Sequence, residues 1–242
     1  MRAYLRFELR RLVRDPRLMF FSIIGPVATY LIFSAWSAGD RLEGLAAPVA
    51  VMIGLAGYGA VAGVLMVGSA VSQERAAGWL HQLRTTPLPA GRVVAVKALV
   101  SSLTAIPPVI AVGAAAAIQH HVELSTGRWV ALLLLMWAGT APFALLGLAI
   151  GYGLSPQMAV PVNFLVFLAL SVLGGLLAPA AYFPQGLRSL AHALPTYRYA
   201  ELGWRSAAGH PPTGSGLAVL AAWTAGFALV AAWAYRRSTA RR

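Results

Sequence analysis

Six stretches of the 242-residue chain run for about 20 residues each without a single charged side chain, and they constrain the fold more than any other feature. They are 18–38, 48–71, 98–118, 129–151, 158–179 and 217–235. A helix needs about 20 mostly apolar residues to cross a hydrocarbon core of roughly 30 Å, and each stretch meets that length. The sequence therefore predicts an all-α integral membrane protein with six transmembrane helices, forming one transmembrane domain over residues 1–242. Only 11% of residues are charged, against roughly 25% in soluble domains, which excludes an ordinary soluble fold. Cysteine is absent, so disulfides, thiolate metal sites and cysteine nucleophiles are excluded together. Pro107 and Pro108 predict a break in the third span, because proline removes backbone donors.

The net charge of +12 could signal nucleic acid or an anionic surface, and its placement decides. Lysine and arginine number six before the first span, four between the second and third, and four after the last. The opposite loops hold Arg41, then Arg128, then Arg188, Arg198 and Arg205. Basic residues near span ends are retained in the cytoplasm. The expectation is a multi-pass protein of the plasma (inner) membrane with both termini cytoplasmic, and no nucleic acid is needed to explain the charge. The small-residue stretch 33–39 mimics a signal-peptidase site, but the apolar run ahead of it exceeds the usual h-region, so it reads as a retained span.

Three segments do not span. Residues 1–15 form an amphipathic pattern, with Met1, Leu5, Leu9, Leu12 and Val13 opposite Arg6, Arg10, Arg11 and Arg14. This suits a helix lying on the inner leaflet, or a basic tail that only enforces topology. Residues 73–85 read as a helix capped by Ser72, with Glu74 in its first turn, Arg84 near its end and Pro87 and Pro89 beyond. Trp79, Leu80 and Leu83 make an apolar ridge that suits membrane contact or docking to another protein. Residues 180–205 alternate aromatic rings with Pro184, Pro195 and isolated arginines, which suits short helices that dip into the bilayer and return, anchored by their rings.

None of the seven acids, Glu8, Asp15, Asp40, Glu43, Glu74, Glu123 and Glu201, falls inside a span, so a carboxylate proton relay is not expected. His120 and His121 are adjacent without a nearby carboxylate, and no metal site is predicted. No Gly-x-Ser-x-Gly occurs. A phosphate-binding loop needs Gly-x-x-x-x-Gly-Lys-Ser/Thr, and the sole lysine, Lys97, sits between Val96 and Ala98. The chain is therefore read as no enzyme in itself, with no catalytic residues and no bound cofactor. Gly59-x-x-x-Gly63 and Gly147-x-x-x-Gly151 permit close helix approach. Asn163 is the one amide well inside a span, suited to bonding a neighbouring helix or to contacting cargo.

Three stretches carry a family resemblance: Arg14-Asp15-Pro16-Arg17 with Gly25-Pro26, Glu74-Arg75 through Leu83-Arg84-Thr85-Thr86-Pro87-Leu88, and Gly174-Gly175 through Phe183-Pro184 to Leu194-Pro195. In order and spacing the chain resembles the permease subunit of type-two ATP-binding-cassette exporters, which include drug-resistance and polysaccharide-export permeases. The resemblance implies a six-span subunit with an N-terminal interfacial helix, a cytosolic coupling helix and re-entrant outer helices before the last span. It implies two copies of a cytosolic ATPase that bind ATP and Mg, and a second permease, identical or related. Carried onto this chain, Glu74, Arg75, Trp79, Leu80, Leu83 and Arg84 become the ATPase-docking surface. The cargo path along the permease dimer would be lined by Met52, Tyr58, Asn163, Phe164, Phe167 and Ser171, which suits amphipathic drug-like, lipid-like or natural-product cargo. Two other classes remain open: an ion- or proton-coupled carrier, and a non-transporting membrane scaffold.

Overall fold

The computed structural model describes residues 20–36, 41–77, 90–177 and 179–240. A five-residue π-helical turn, Phe20–Ile24, leads into α1 (Gly25–Trp36). The turn falls where the Ser22 carbonyl lies 2.6 Å from the place a β-carbon on Gly59 would occupy, so the widened backbone coincides with a close helix approach. The fold is all-helical as expected, with one small hairpin between α1 and the next helix. A two-residue antiparallel ladder joins β1 (Arg41–Leu42) to β2 (Leu45–Ala46), turning through Glu43 and Gly44 at φ of 52° and 77°. The turn needs left-handed backbone at both positions, which glycine adopts freely.

The hairpin feeds α2 (Ala47–Ala76), whose proline in the first turn costs no hydrogen bond. Here the sequence reading is corrected. Ser72 does not cap a new helix and Glu74 does not open one, since both lie in the last turns of α2. Nothing between Val71 and Ala77 breaks the helix, and the Ser72 hydroxyl donates back to the Ser69 carbonyl at 2.7 Å. Residues 78–85 of the expected coupling helix, and the expected interfacial helix 1–15, lie outside the described residues.

The third run is split as its prolines require, into α3 (Ala90–Leu103) and α4 (Ile106–His120). The fourth is also split, into α5 (Thr126–Ala138) and α6 (Ala141–Gly153), around Gly139 and Thr140 just ahead of Pro142. That second break was not expected. α7 (Pro156–Leu173) stops short of residue 179 because Gly174 ends it and Gly175 takes φ of 78°. A short 3₁₀ turn, Ala180–Tyr182, precedes α8 (Gln185–Ala193), α9 (Pro195–Ala207) and the long α10 (Gly214–Ala240). Among the described residues, five segments are long and apolar enough to cross a membrane: Ala47–Ala76, Val93–His120, Thr126–Gly153, Pro156–Leu173 and Gly214–Ser238. Ser22–Ala35 is apolar but shorter.

α2 is the axis of the bundle, packed by α1, α4, α6, α7 and α9, while α10 leans chiefly on α6. Between apolar helices in lipid the hydrophobic effect gives little attraction, so close packing and polar contacts must hold the bundle. Short side chains supply the packing. A methyl group on Gly68 would overlap the Gly147 carbonyl, and one on Gly151 would overlap the Gly68 carbonyl, so α2 and α6 touch backbone to backbone. On the other flank, Gly59 meets Ser22, Pro26 and Pro108, and Gly63 meets Thr104. The aromatic rings of α9 are packed inside the chain rather than left on its surface. Tyr197, Tyr199 and Trp204 are buried, with Tyr199 edge-on to Phe143 at 5.6 Å and the Trp204 indole donating to the Ala50 carbonyl at 3.2 Å.

Candidate functional site

Two groups of expected site residues flank the same helix. At the end of α2 the chain turns from apolar to charged within one turn, and both charges are held by distant partners. The Lys97 ammonium on α3 lies 2.7 Å from Glu74 Oε2, with the two side chains only 3% and 10% exposed. A pair so buried gains little net stability over an apolar substitute, but removing one partner destabilises, because the other keeps a buried charge and loses a 2.7 Å contact. Arg75 donates through both terminal nitrogens to the carbonyls of Tyr152 and Leu154, at the end of α6 and the start of the link to α7. One of those carbonyls belongs to the last turn of α6, which lacks intrahelical partners. Glu74 and Arg75 therefore tie the end of α2 to α3 and to the α6–α7 turn. Trp79, Leu80, Leu83 and Arg84 lie outside the described residues.

The second group is divided by α7. Ala159, Asn163, Phe167 and Ser171 recur every fourth residue and form its buried stripe against α2. On that stripe the Asn163 amide donates to Ser69 Oγ at 2.8 Å, and Phe167 packs against Tyr58 with ring centroids 4.6 Å apart. The Asn163 Oδ1 and Ser171 Oγ are buried with no hydrogen-bond partner among the described residues. Phe164 points the other way and is 58% exposed, alongside Leu165, Leu168 and Val172 on the outward face. Met52 is enclosed in the core. The structure thus pairs Phe167 with Tyr58 and Asn163 with Ser69, leaves Phe164 on the outward face with its ring 6.5 Å from that of Phe167, and shuts Met52 in the bundle.

A third cluster was not foreseen. At the end of the bundle opposite Glu74, the hairpin sets Glu43 against α8 and α9, where it accepts a hydrogen bond from Tyr197. Burial raises the Glu43 carboxyl above its ordinary range, the charges of His192 and Arg188 oppose that rise, and Glu201 reinforces it. Burial, with the nearby charges of Glu43 and Glu201, pushes the Tyr197 hydroxyl up to about 12. His192 stacks on the Tyr197 ring at 4.3 Å, and Arg198 bonds the His192 carbonyl at 2.7 Å and Glu201 at 2.9 Å. Thr213 donates to the other Glu201 oxygen at 3.0 Å, fastening the start of α10 to α9. The Arg198 and Glu201 spacing of three is readable from sequence, but the partners from the hairpin and from residue 213 are not. Among the described residues no three of His, Asp or Glu gather as a metal site would require.

Charged contacts at both ends of the bundle clamp helices whose middles are held by small residues and by the Asn163 amide. The family profile described as "ABC-2 type transporter" matches residues 1–203. The chain is also 24% identical over 234 residues to the "Putative transport permease YvfS" of Bacillus subtilis (strain 168), covering 96% of each chain.

Proposed function

Because the chain belongs to the ABC-2 type transporter family, and is thus a membrane permease component that works with a partner ABC ATPase subunit, we propose that it is the permease of an exporter. It moves an amphipathic drug-like, lipid-like or natural-product cargo outward, driven by ATP and Mg bound on that separate subunit. Two such ATPases act on a pair of permeases, identical or related, in the plasma (inner) membrane, with both termini of this chain in the cytoplasm.

The observation that carries this reading is the clamp at the end of α2. A push on the segment that follows Ala77 is delivered to α3 through Glu74 and Lys97, and to α6 and α7 through Arg75. In this reading the ridge of Trp79, Leu80 and Leu83, with Arg84, docks on the ATPase, while Glu74 and Arg75 pass its displacement to the spans. The second permease covers the outward face of α7, where Phe164, Leu165 and Leu168 are exposed. The cargo path then runs beside the Tyr58–Phe167 and Asn163–Ser69 contacts, and the buried Met52 and Ser171 join it only if the bundle opens.

The test is reconstitution of the chain with its partner ABC ATPase subunit. Trp79→Asp with Leu83→Asp should abolish ATPase association and ATP-dependent uptake of a fluorescent amphipath into inverted vesicles. If association and uptake both survive, the coupling assignment fails. Uptake that persists without ATP under an imposed ion gradient would instead favour an ion-coupled carrier.

A further inference from the structure

α4 and α5 run antiparallel, tied at both ends and open along one side between. At the end where the hairpin lies, residues 121–125 join them, and Val122 and Leu124 of that link pack against the core. At the other end both helices meet a break: α4 begins after Thr104 and Ala105, and α5 ends before Gly139 and Thr140. The Trp137 indole donates to Ser102 Oγ at 3.1 Å, which fastens one break to the other. Between these ties lies a cavity of about 340 Å³. Val109, Gly113 and Ala117 of α4 form one wall, and Trp129, Val130 and Leu133 of α5 the other. Among the described residues, none that is charged or carries a hydroxyl lines it.

The cavity is a slot in the side of the bundle. A β-carbon on Gly113 would lie 3.0 Å from the Trp129 ring, so the ring reaches across to α4, and Ala114 and Ala117 leave space beside it. Ile110 and Val130 form the lips and are 54% and 51% exposed, so the slot opens sideways. Both helices lie in segments long and apolar enough to cross a membrane, so the opening faces hydrocarbon. The lining lacks the convergent polar groups that orient a drug-like ligand. Protein and lipid tail are equally apolar there, so the attraction left is dispersion, which a void forfeits and a closely fitting chain recovers. One turn of helix, about 10–12 Å across and 5.4 Å long, already takes up more than this volume, so a neighbouring helix cannot enter.

One end of the slot lies at the polar level. Trp129 follows Arg128 in the first turn of α5, Glu123 lies in the link before them, and both charged side chains are exposed. Tryptophan favours the headgroup level of a bilayer. We propose that the slot between α4 and α5 seats one acyl chain of a membrane phospholipid, with its head beside Arg128 and Glu123. The chain fills the space that the two half-spans leave between them, and the bond between Trp137 and Ser102 closes the deep end.

The experiment is photolabelling of the full-length chain in phosphatidylcholine vesicles doped with a phosphatidylcholine that carries a diazirine midway along one acyl chain, with labelled positions mapped by mass spectrometry. Residues 109–117 and 129–133 should take up several-fold more label per residue than the outward face of α10, where Leu217 and Leu229 are 48% and 73% exposed but offer no slot. Ala114→Leu with Ala117→Leu fills the slot and should bring its labelling down to the α10 level without lowering the melting temperature. Labelling of the wild-type slot no stronger than that of α10 would overturn the proposal, and this comparison needs no variant. An excess that survives in the filled variant would overturn it too, since the label would then be following exposed surface. The chain has no cysteine, so Val130→Cys places a single thiol on the lip. Efficient disulfide crosslinking of two chains through it would show that protein covers the slot and would overturn the lipid assignment.

Discussion

α2 and α10 are both long, apolar and free of charge along their middles, yet they do opposite work. In α2 78% of the most apolar window is buried within the chain, and in α10 only 17%. Composition does not separate them, but the position of their glycines does. Gly54, Gly57, Gly59, Gly63 and Gly68 of α2 each have a neighbour within van der Waals reach of a missing β-carbon, whereas Gly226 of α10 faces open space. A glycine in a membrane helix is thus a contact in one case and only a missing side chain in the other. α7 lies between these extremes, with one inward stripe and one bare face.

The sharpest way to break this comparison is Gly68→Leu against Gly226→Leu. The first must push α6 off α2, and little folded protein should survive extraction. The second should leave the melting temperature in detergent almost unchanged, since surface changes away from contacts stay within about 0.5 kcal/mol. Equal damage from the two would erase the distinction. Next in size is Lys97→Met, which should destabilise by up to about 3–5 kcal/mol by taking the close ammonium contact from the Glu74 carboxylate, while Glu74→Leu with Lys97→Met should recover most of the loss in the same melting assay. If the double variant is as poor as the single one, the pair is not the clamp described. Asn163→Leu should cost only about 0.6 kcal/mol, the average measured for interhelical hydrogen bonds in a membrane bundle. Smallest of all, Phe164→Ala on the bare face of α7 should leave the thermal stability of the chain unmoved and lower only permease–permease crosslinking. A clear loss of stability there would mean that this face is already packed.

The same contrast explains what could be read from the sequence. The apolar runs announce the spans, and Pro107 and Pro108 announce the break between α3 and α4, because both signals are local. The continuation of α2 through residue 76 is not announced, since Ser72, Gln73, Glu74 and Arg75 look like the polar start of something new. Their partners, Lys97, Tyr152 and Leu154, are far along the chain, and only folding brings them near. The α9 rings mislead for a related reason: interfacial belts and buried cores draw on the same residue types, and burial is a property of the neighbours. Asn163 was legible as a helix-bonding group, but its partner Ser69 was not. Glu43 gained its place beside Tyr197 from a four-residue turn that carries no span signal at all.

Where Gly68 meets Gly147 and Gly151, nothing can swing aside to absorb a change, so that joint has almost no vocabulary for innovation. Any lineage that alters what this protein touches is left to experiment on the outward rows of α7 and α10, where a new side chain displaces lipid and leaves the framework intact.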